Sequence, residues 1–217
     1  MPGRPDFRTL PMTYFRRTGT PAFPTRRSAA KSAARSAAAP LNAALSALGG
    51  PFWVADLETT GLSAASCEIL EFAAVAVSAE GRIEREYSQV VRIGGPVPSF
   101  ISRLTGISQI EVDRDGLPVM QAFDEFLSFI EGGPVFFHNA SFDTRFLRAT
   151  AERLGRAFDA PVHCTLQLAR RAWPELPSHK LGLLADHIGA RVPTHRALAD
   201  VHTTVAVALA ARQRLAI

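Results

Sequence analysis

Two carboxylates, Asp56 and Glu58, close an apolar run in the stretch F-W-V-A-D-L-E-T-T-G, Phe52–Gly61. In an extended strand residues i and i+2 project to the same side with Cα atoms about 6.6 Å apart, so the pair points together from a strand end. Two unpaired carboxylates so placed repel, and each raises the pKa of the other. A divalent cation between them removes the conflict, and hard oxygen donors select Mg²⁺ or Mn²⁺ over zinc. A solvated acidic turn would carry the same D-x-E, so this pair by itself leaves both readings open.

Two further acids occur in comparable settings. In F-F-H-N-A-S-F-D-T-R-F-L, Phe136–Leu147, a buried strand runs through a polar turn into a helix whose first turn holds Asp143. A carboxylate there also serves simply as a partner of the helix dipole. In H-R-A-L-A-D, His195–Asp200, the acid lies among Leu198, Val201, Val205 and Leu209. Burying a carboxylate in such a segment is costly unless something coordinates it. His195 precedes Asp200 by five residues, about 140° around a continuous helix. That offset places the imidazole on the turn before the helix, free to swing over the acids.

The elements that must position these groups read as α/β. Phe52–Leu57, Ile69–Ser78 and Ile83–Ile93 have strand character, the last two joined by the turn residues Glu80–Gly81. Val119, Phe123, Phe126, Leu127 and Ile130 fall at helical spacing, and Gly132–Gly133–Pro134 ends that helix. Val135–His138 is a short buried strand, and Ser141 is placed to cap a helix running to about Leu154. Further helices are expected at Thr165–Trp173, Lys180–Ile188 and about His195–Arg212. Strands followed by alternating helix and strand imply a mixed sheet covered by helices.

The chain has 217 residues and a formal charge of +4, but the charge is uneven. Residues 1–50 hold eight basic side chains against Asp6 alone, a net of +7; residues 51–217 hold 16 basic and 19 acidic, a net of −3. An acidic body that handles a polyanion needs metal cations or a local basic rim. Residues 1–50, rich in Ala, Ser, Pro and Arg, read as a disordered basic tail, with a short helix allowed at Ser36–Leu48 before Gly49–Gly50–Pro51; residues 51–217 read as the ordered body. The tail's composition fits a transit peptide, a nucleic-acid-binding arm, or residues preceding a start at Met12, and these stay open. Cys67 and Cys164 read as buried thiols, since no C-x-x-C occurs. No run of 18 apolar residues exists, so no membrane span is expected, and a cytoplasmic location is the simplest expectation, organelle targeting by the tail being the other.

D-L-E-T-T-G, H-N-A-S-F-D and H-R-A-L-A-D, in this order, resemble the three motifs of the DnaQ-like DEDDh 3′–5′ exonucleases, the family of the proofreading epsilon subunit of bacterial DNA polymerase III. L-T-G-I-S at Leu104–Ser108 and S-H-K-L-G-L-L-A-D-H-I-G from Ser178 are secondary likenesses, and the resemblance spans about Phe52 to Ala210. It implies an RNase H-like fold, a mixed five-stranded sheet flanked by helices, that gathers Asp56, Glu58, Asp143 and Asp200 around two divalent ions, Mg²⁺ or Mn²⁺, roughly 3.5–4 Å apart. His195 is then the general base, and the reaction is stepwise hydrolysis of DNA 3′ ends to nucleoside monophosphates. The same resemblance assigns Thr59, Thr60, Gly61 and Leu62 to the terminal nucleotide. Asn139 meets a phosphate or orders its turn, and Phe142 stacks on a base or packs in the core. His138 reads as a satisfied turn histidine and His202 as an ordinary helix residue. RNA 3′ ends, as for RNase T or oligoribonuclease, are the alternative substrate, and a catalytically dead nucleic-acid-binding module is a third reading. The epsilon subunit continues into a polymerase-docking extension, whereas this sequence ends at Ile217, so a free-standing or paralogous enzyme is expected, with a polymerase or a second copy as possible partners.

Overall fold

In the computed structural model, residues 40–215 are described. Their frame is a six-stranded sheet in the order β4-β3-β2-β1-β5-β6. The strands are β1 (Phe52–Thr59), β2 (Ile69–Val77), β3 (Ile83–Arg92), β4 (Leu117–Pro118), β5 (Val135–Phe137) and β6 (Val162–Cys164). The first three form an antiparallel meander, whereas β5 runs parallel to β1, β6 parallel to β5, and β4 parallel to β3. The resemblance implies five strands and the structure has six; four were located in the sequence, and β4 and β6, two and three residues long, are the two that were not.

The helices are α1 (residues 40–47), α2 (Ser99–Thr105), α3 (Gln109–Asp115), α4 (Val119–Ile130), α5 (Ser141–Leu154), α6 (Thr165–Ala172), α7 (Leu181–Ile188) and α8 (Ala197–Leu215). The period-two alternation of β1 sorts them onto two faces. Phe52 and Val54 join Val75, Val77 and Phe136 in a core closed by α1, α6, α7 and α8; Ala55 and Leu57 join Phe72, Phe126, Val135 and Phe137 in a second core closed by α4 and α5. By the same alternation Asp56 and Glu58 belong to the first face, the one that α8 covers. That arithmetic brings Asp200 to them.

Packing reaches back to residue 40, ahead of the boundary expected at 51. Ala44 and Leu48 are buried in the first core, and the Arg212 guanidinium donates to the Leu48 carbonyl at 2.8 Å. The reading of residues 1–39 as a disordered tail lies outside the described residues. A second correction concerns Ser141. It opens α5 rather than capping it, the cap position being Ala140 without a side-chain bond, and the Ser141 hydroxyl donates instead to Asn139 Oδ1 at 3.4 Å. Cys67 and Cys164 are free thiols, half-buried rather than buried. Among the described residues no helix is long and apolar enough to cross a membrane.

Candidate active site

β1 delivers Asp56 and Glu58 at its C-terminal half, opposite Ala73 and Glu71 of β2. The first turns of two helices supply the remaining acids, Asp143 from α5 and Asp200 from α8. Carboxylate oxygens of Asp56, Glu58 and Asp200 lie within 4.8 Å of one another, although these residues are up to 144 positions apart in the chain. Asp143 stands outside that triple but next to Asp56, whose pKa its charge raises. The Asp143 carboxylate is fully buried, with its own amide and that of Leu57 donating to it.

The electrostatics follow from crowding. Burial, reinforced by Asp143, Glu58, Asp200 and Glu71, holds Asp56 well above the usual carboxylate range. Burial and the charges of Asp200 and Glu71 push Glu58 up to about 8, with Arg196 opposing. Burial alone takes Asp143 to about 8 against the pull of its two amide donors. Asp200 is raised by burial as well, opposed by the amide of Thr194, which donates at 2.8 Å, and by the charge and amide of His195. Arg196, four residues before Asp200, does not pair with it; its guanidinium goes to Glu71 at 3.0 Å and Glu111 at 3.1 Å. An all-oxygen donor set of this density fits a hard divalent cation, which would stabilise the ionised forms that the protein alone disfavours.

His195 is exposed on the turn ahead of α8, as its spacing from Asp200 requires, and its φ of 58° is left-handed. Such backbone is uncommon for a non-glycine residue. After β1 the backbone turns sharply. The Thr59 hydroxyl donates to the Gly61 carbonyl at 2.7 Å, and Thr60 bonds Glu68 through both its amide and its hydroxyl. This turn leaves Leu62 83% exposed. Asn139 also has a left-handed φ, of 68°, and Phe142 is half-buried against Phe146 with Arg145 over its ring.

The histidines set aside in the sequence stay apart. His138 is held by Thr165 and by the carbonyl of His179, both at 3.0 Å, and burial lowers its pKa. His202 pairs with Glu86 at the surface of α8. The residue that sequence reasoning missed is Glu71. It is 1% exposed in a strand otherwise entirely apolar, I-L-E-F-A-A-V-A-V. A lone carboxylate in a fully buried strand is the signal that could have found it.

A model of the exonuclease family matches residues 53–208. The chain belongs to this exonuclease family. Relatives in sequence carry the name DNA polymerase III PolC-type. The protein from Caldanaerobacter subterraneus subsp. tengcongensis is 34% identical over 169 residues, 77% of this chain and 12% of its own length. That from Streptococcus agalactiae is 36% identical over 143 residues, 65% of this chain and 10% of its own. The chain thus spans about a tenth of the curated relatives it matches. Among solved structures, E. coli exonuclease I in complex with a dA16 oligonucleotide superposes with a TM-score of 0.67 at 22% identity, over 77% of this chain and 41% of that one. Exonuclease X in complex with 5′ overhanging duplex DNA gives 0.60 at 24%, over 76% and 93%. These structural likenesses show that the exonuclease domain has the mixed α/β fold of its neighbours.

Proposed function

We propose that this exonuclease domain hydrolyses the terminal phosphodiester of DNA 3′ ends, single-stranded or frayed, in the 3′ to 5′ direction. The observation that carries the reading is the convergence of three carboxylates within 4.8 Å of one another, with Arg196 directed to Glu71 and Glu111 instead. Asp56, Glu58 and Asp200, with Asp143 behind Asp56, would hold two Mg²⁺ or Mn²⁺ ions. Bound there, such ions supply a nucleophile of lowered pKa and charge stabilisation for the leaving oxygen. His195 takes the proton of the attacking water as the general base. Water oxygen bonds to phosphorus, the bond from phosphorus to the 3′ oxygen breaks, that oxygen takes a proton from solvent, and a nucleoside monophosphate departs from a shortened 3′-hydroxyl end.

The turn after β1 supports the assignment of Thr59, Thr60, Gly61 and Leu62 to the terminal nucleotide. Its backbone is fixed by internal hydrogen bonds while the Leu62 side chain stands in solvent, free to pack on a base. Asn139 would meet a phosphate of the same strand and Phe142 a base. A basic rim is also present in an otherwise acidic body. One cavity beside Asn139 carries Arg145, Arg148 and Arg170, and its neighbour carries Arg170 and Lys180. Such side chains supply the sequence-independent part of nucleic-acid affinity.

The PolC-type relatives favour DNA and a proofreading or repair role beside a polymerase. Matched 5′-labelled DNA and RNA oligonucleotides, incubated with the protein in Mg²⁺ and separately in Mn²⁺, test the assignment. DNA is shortened at least tenfold faster on this reading; faster shortening of RNA would move the substrate to the alternative class.

A further inference from the structure

We infer that Glu71, Arg196 and Glu111 form a three-residue clamp that positions His195, the proposed general base, and so act on the reaction through it. The inference rests on the exonuclease reading above but deepens it, because the clamp reaches from the buried sheet to a helix outside the motifs.

Glu71 is the third residue of β2, directly across from Glu58. A carboxylate buried that deep is tolerated only if its lone pairs are satisfied. Three donors do so. The Ser88 hydroxyl and the Arg196 guanidinium reach Oε1 at 3.1 and 3.0 Å, and the Ala197 amide reaches Oε2 at 3.1 Å. With both oxygens engaged by the protein, Glu71 is not a fifth ligand for a cation. It is an anchor. Arg196 completes the bridge by placing its other terminal nitrogen on Glu111 of α3, at 3.1 and 3.4 Å from the two oxygens.

The effect falls on the residue between the tethered ones. Ahead of His195, the Thr194 amide is held by Asp200 at 2.8 Å; behind it, Arg196 and Ala197 are both tied to Glu71. His195 itself is exposed and in left-handed backbone, a conformation that persists when its surroundings over-determine it. The guanidinium suits the task because its planar fork can serve two carboxylates at once, which an ammonium on a flexible stem does not reproduce. The charges that bear most on Asp56, Glu58 and Asp200 do not include that of Glu111. Glu111 therefore offers a handle on the clamp that leaves the carboxylate cluster alone.

The test uses Glu111→Gln as the first variant and Arg196→Lys as the second, each made in the full chain with and without His195→Ala. Two readouts are taken: the ¹H–¹³C signal of the His195 imidazole, assigned by its loss in His195→Ala, and kcat on a 5′-labelled DNA oligonucleotide. The clamp predicts that the His195 signal moves in both variants while those of His138 and His202 stay. It also predicts that kcat falls about 10-fold when His195 is present and less than twofold when it is absent, since groups acting through one another are not additive. An unmoved His195 signal, or equal losses with and without His195, overturns the clamp. Full activity in His195→Ala would instead refute the general-base assignment, and the imidazole signal alone would then decide the clamp.

Discussion

Loading the carboxylate cluster with metal should expel protons, and the structure fixes roughly how many. A divalent ion binds the ionised carboxylates, so any proton resident at the working pH must leave. Glu58 and Asp143 are each raised to about 8. A group with that pKa is about 90% protonated at pH 7 and about 10% at pH 9. These two alone release about 1.8 protons per protein at pH 7 and about 0.2 at pH 9, and Asp56, raised by burial as well, adds to the release. Because the cluster titrates as a unit, the count belongs to the site rather than to single residues. From Glu58 and Asp143 alone, apparent affinity must rise nearly 100-fold between pH 6 and 7 and flatten above about 8. Calorimetric titration of metal-free protein with Mn²⁺, in buffers of different ionisation enthalpy, gives the proton number directly. Release of fewer than about half a proton at pH 7, or an affinity independent of pH, would refute the argument that burial and mutual repulsion keep these acids protonated.

Other consequences follow from the same geometry. In metal-free protein the raised carboxylates stabilise the fold below their unfolded pKa values near 4, and that contribution is lost as pH rises toward about 8; thermal melts should therefore show a lower Tm at pH 9 than at pH 6, and a higher one would contradict the shifts. His195→Ala should lower kcat by about 10²–10⁴-fold while Mn²⁺ affinity, measured by calorimetry, changes little. Gly133→Ala should destabilise the domain by about 2–3 kcal/mol in urea unfolding, because a Cβ there would meet the Trp53 ring at 2.0 Å, and Trp53 is fixed by its bond to the Phe129 carbonyl at 2.9 Å.

How much of this was legible in the sequence depended on whether the signal was local. Asp56 and Glu58 could be read from the strand that ends in them, and α4 from its apolar spacing, which the structure reproduces as Val119–Ile130. The turn position of His195 followed from helical geometry. The short strands β4 and β6 could not be read: the two-residue β4 carries no period, and β6, V-H-C, has a histidine at its centre and so lacks the wholly apolar run, V-F-F, that made the equally short β5 legible. Nor could α2 and α3, seven residues each, separated by Gly106 in left-handed backbone and rich in polar side chains. Glu71 was hidden for a different reason. Its partners are Ser88, Arg196 and Ala197, up to 126 positions away, and only the folded chain brings a guanidinium to the one carboxylate in β2. The docking of Leu48 into the core is likewise a long-range fact, fixed by Arg212.

Hydrolysis from a DNA 3′ end is assigned here to the carboxylates gathered at the end of β1. The most direct measurement follows a 5′-labelled single-stranded DNA oligonucleotide in Mg²⁺, for the natural protein and for Asp56→Asn, with the released nucleotides identified. The account predicts a ladder shortening one nucleotide at a time from the 3′ end, release of nucleoside monophosphates, and a rate lowered at least 10³-fold by Asp56→Asn. Internal cuts, digestion from the 5′ end, or an Asp56→Asn protein as fast as the natural one would contradict it.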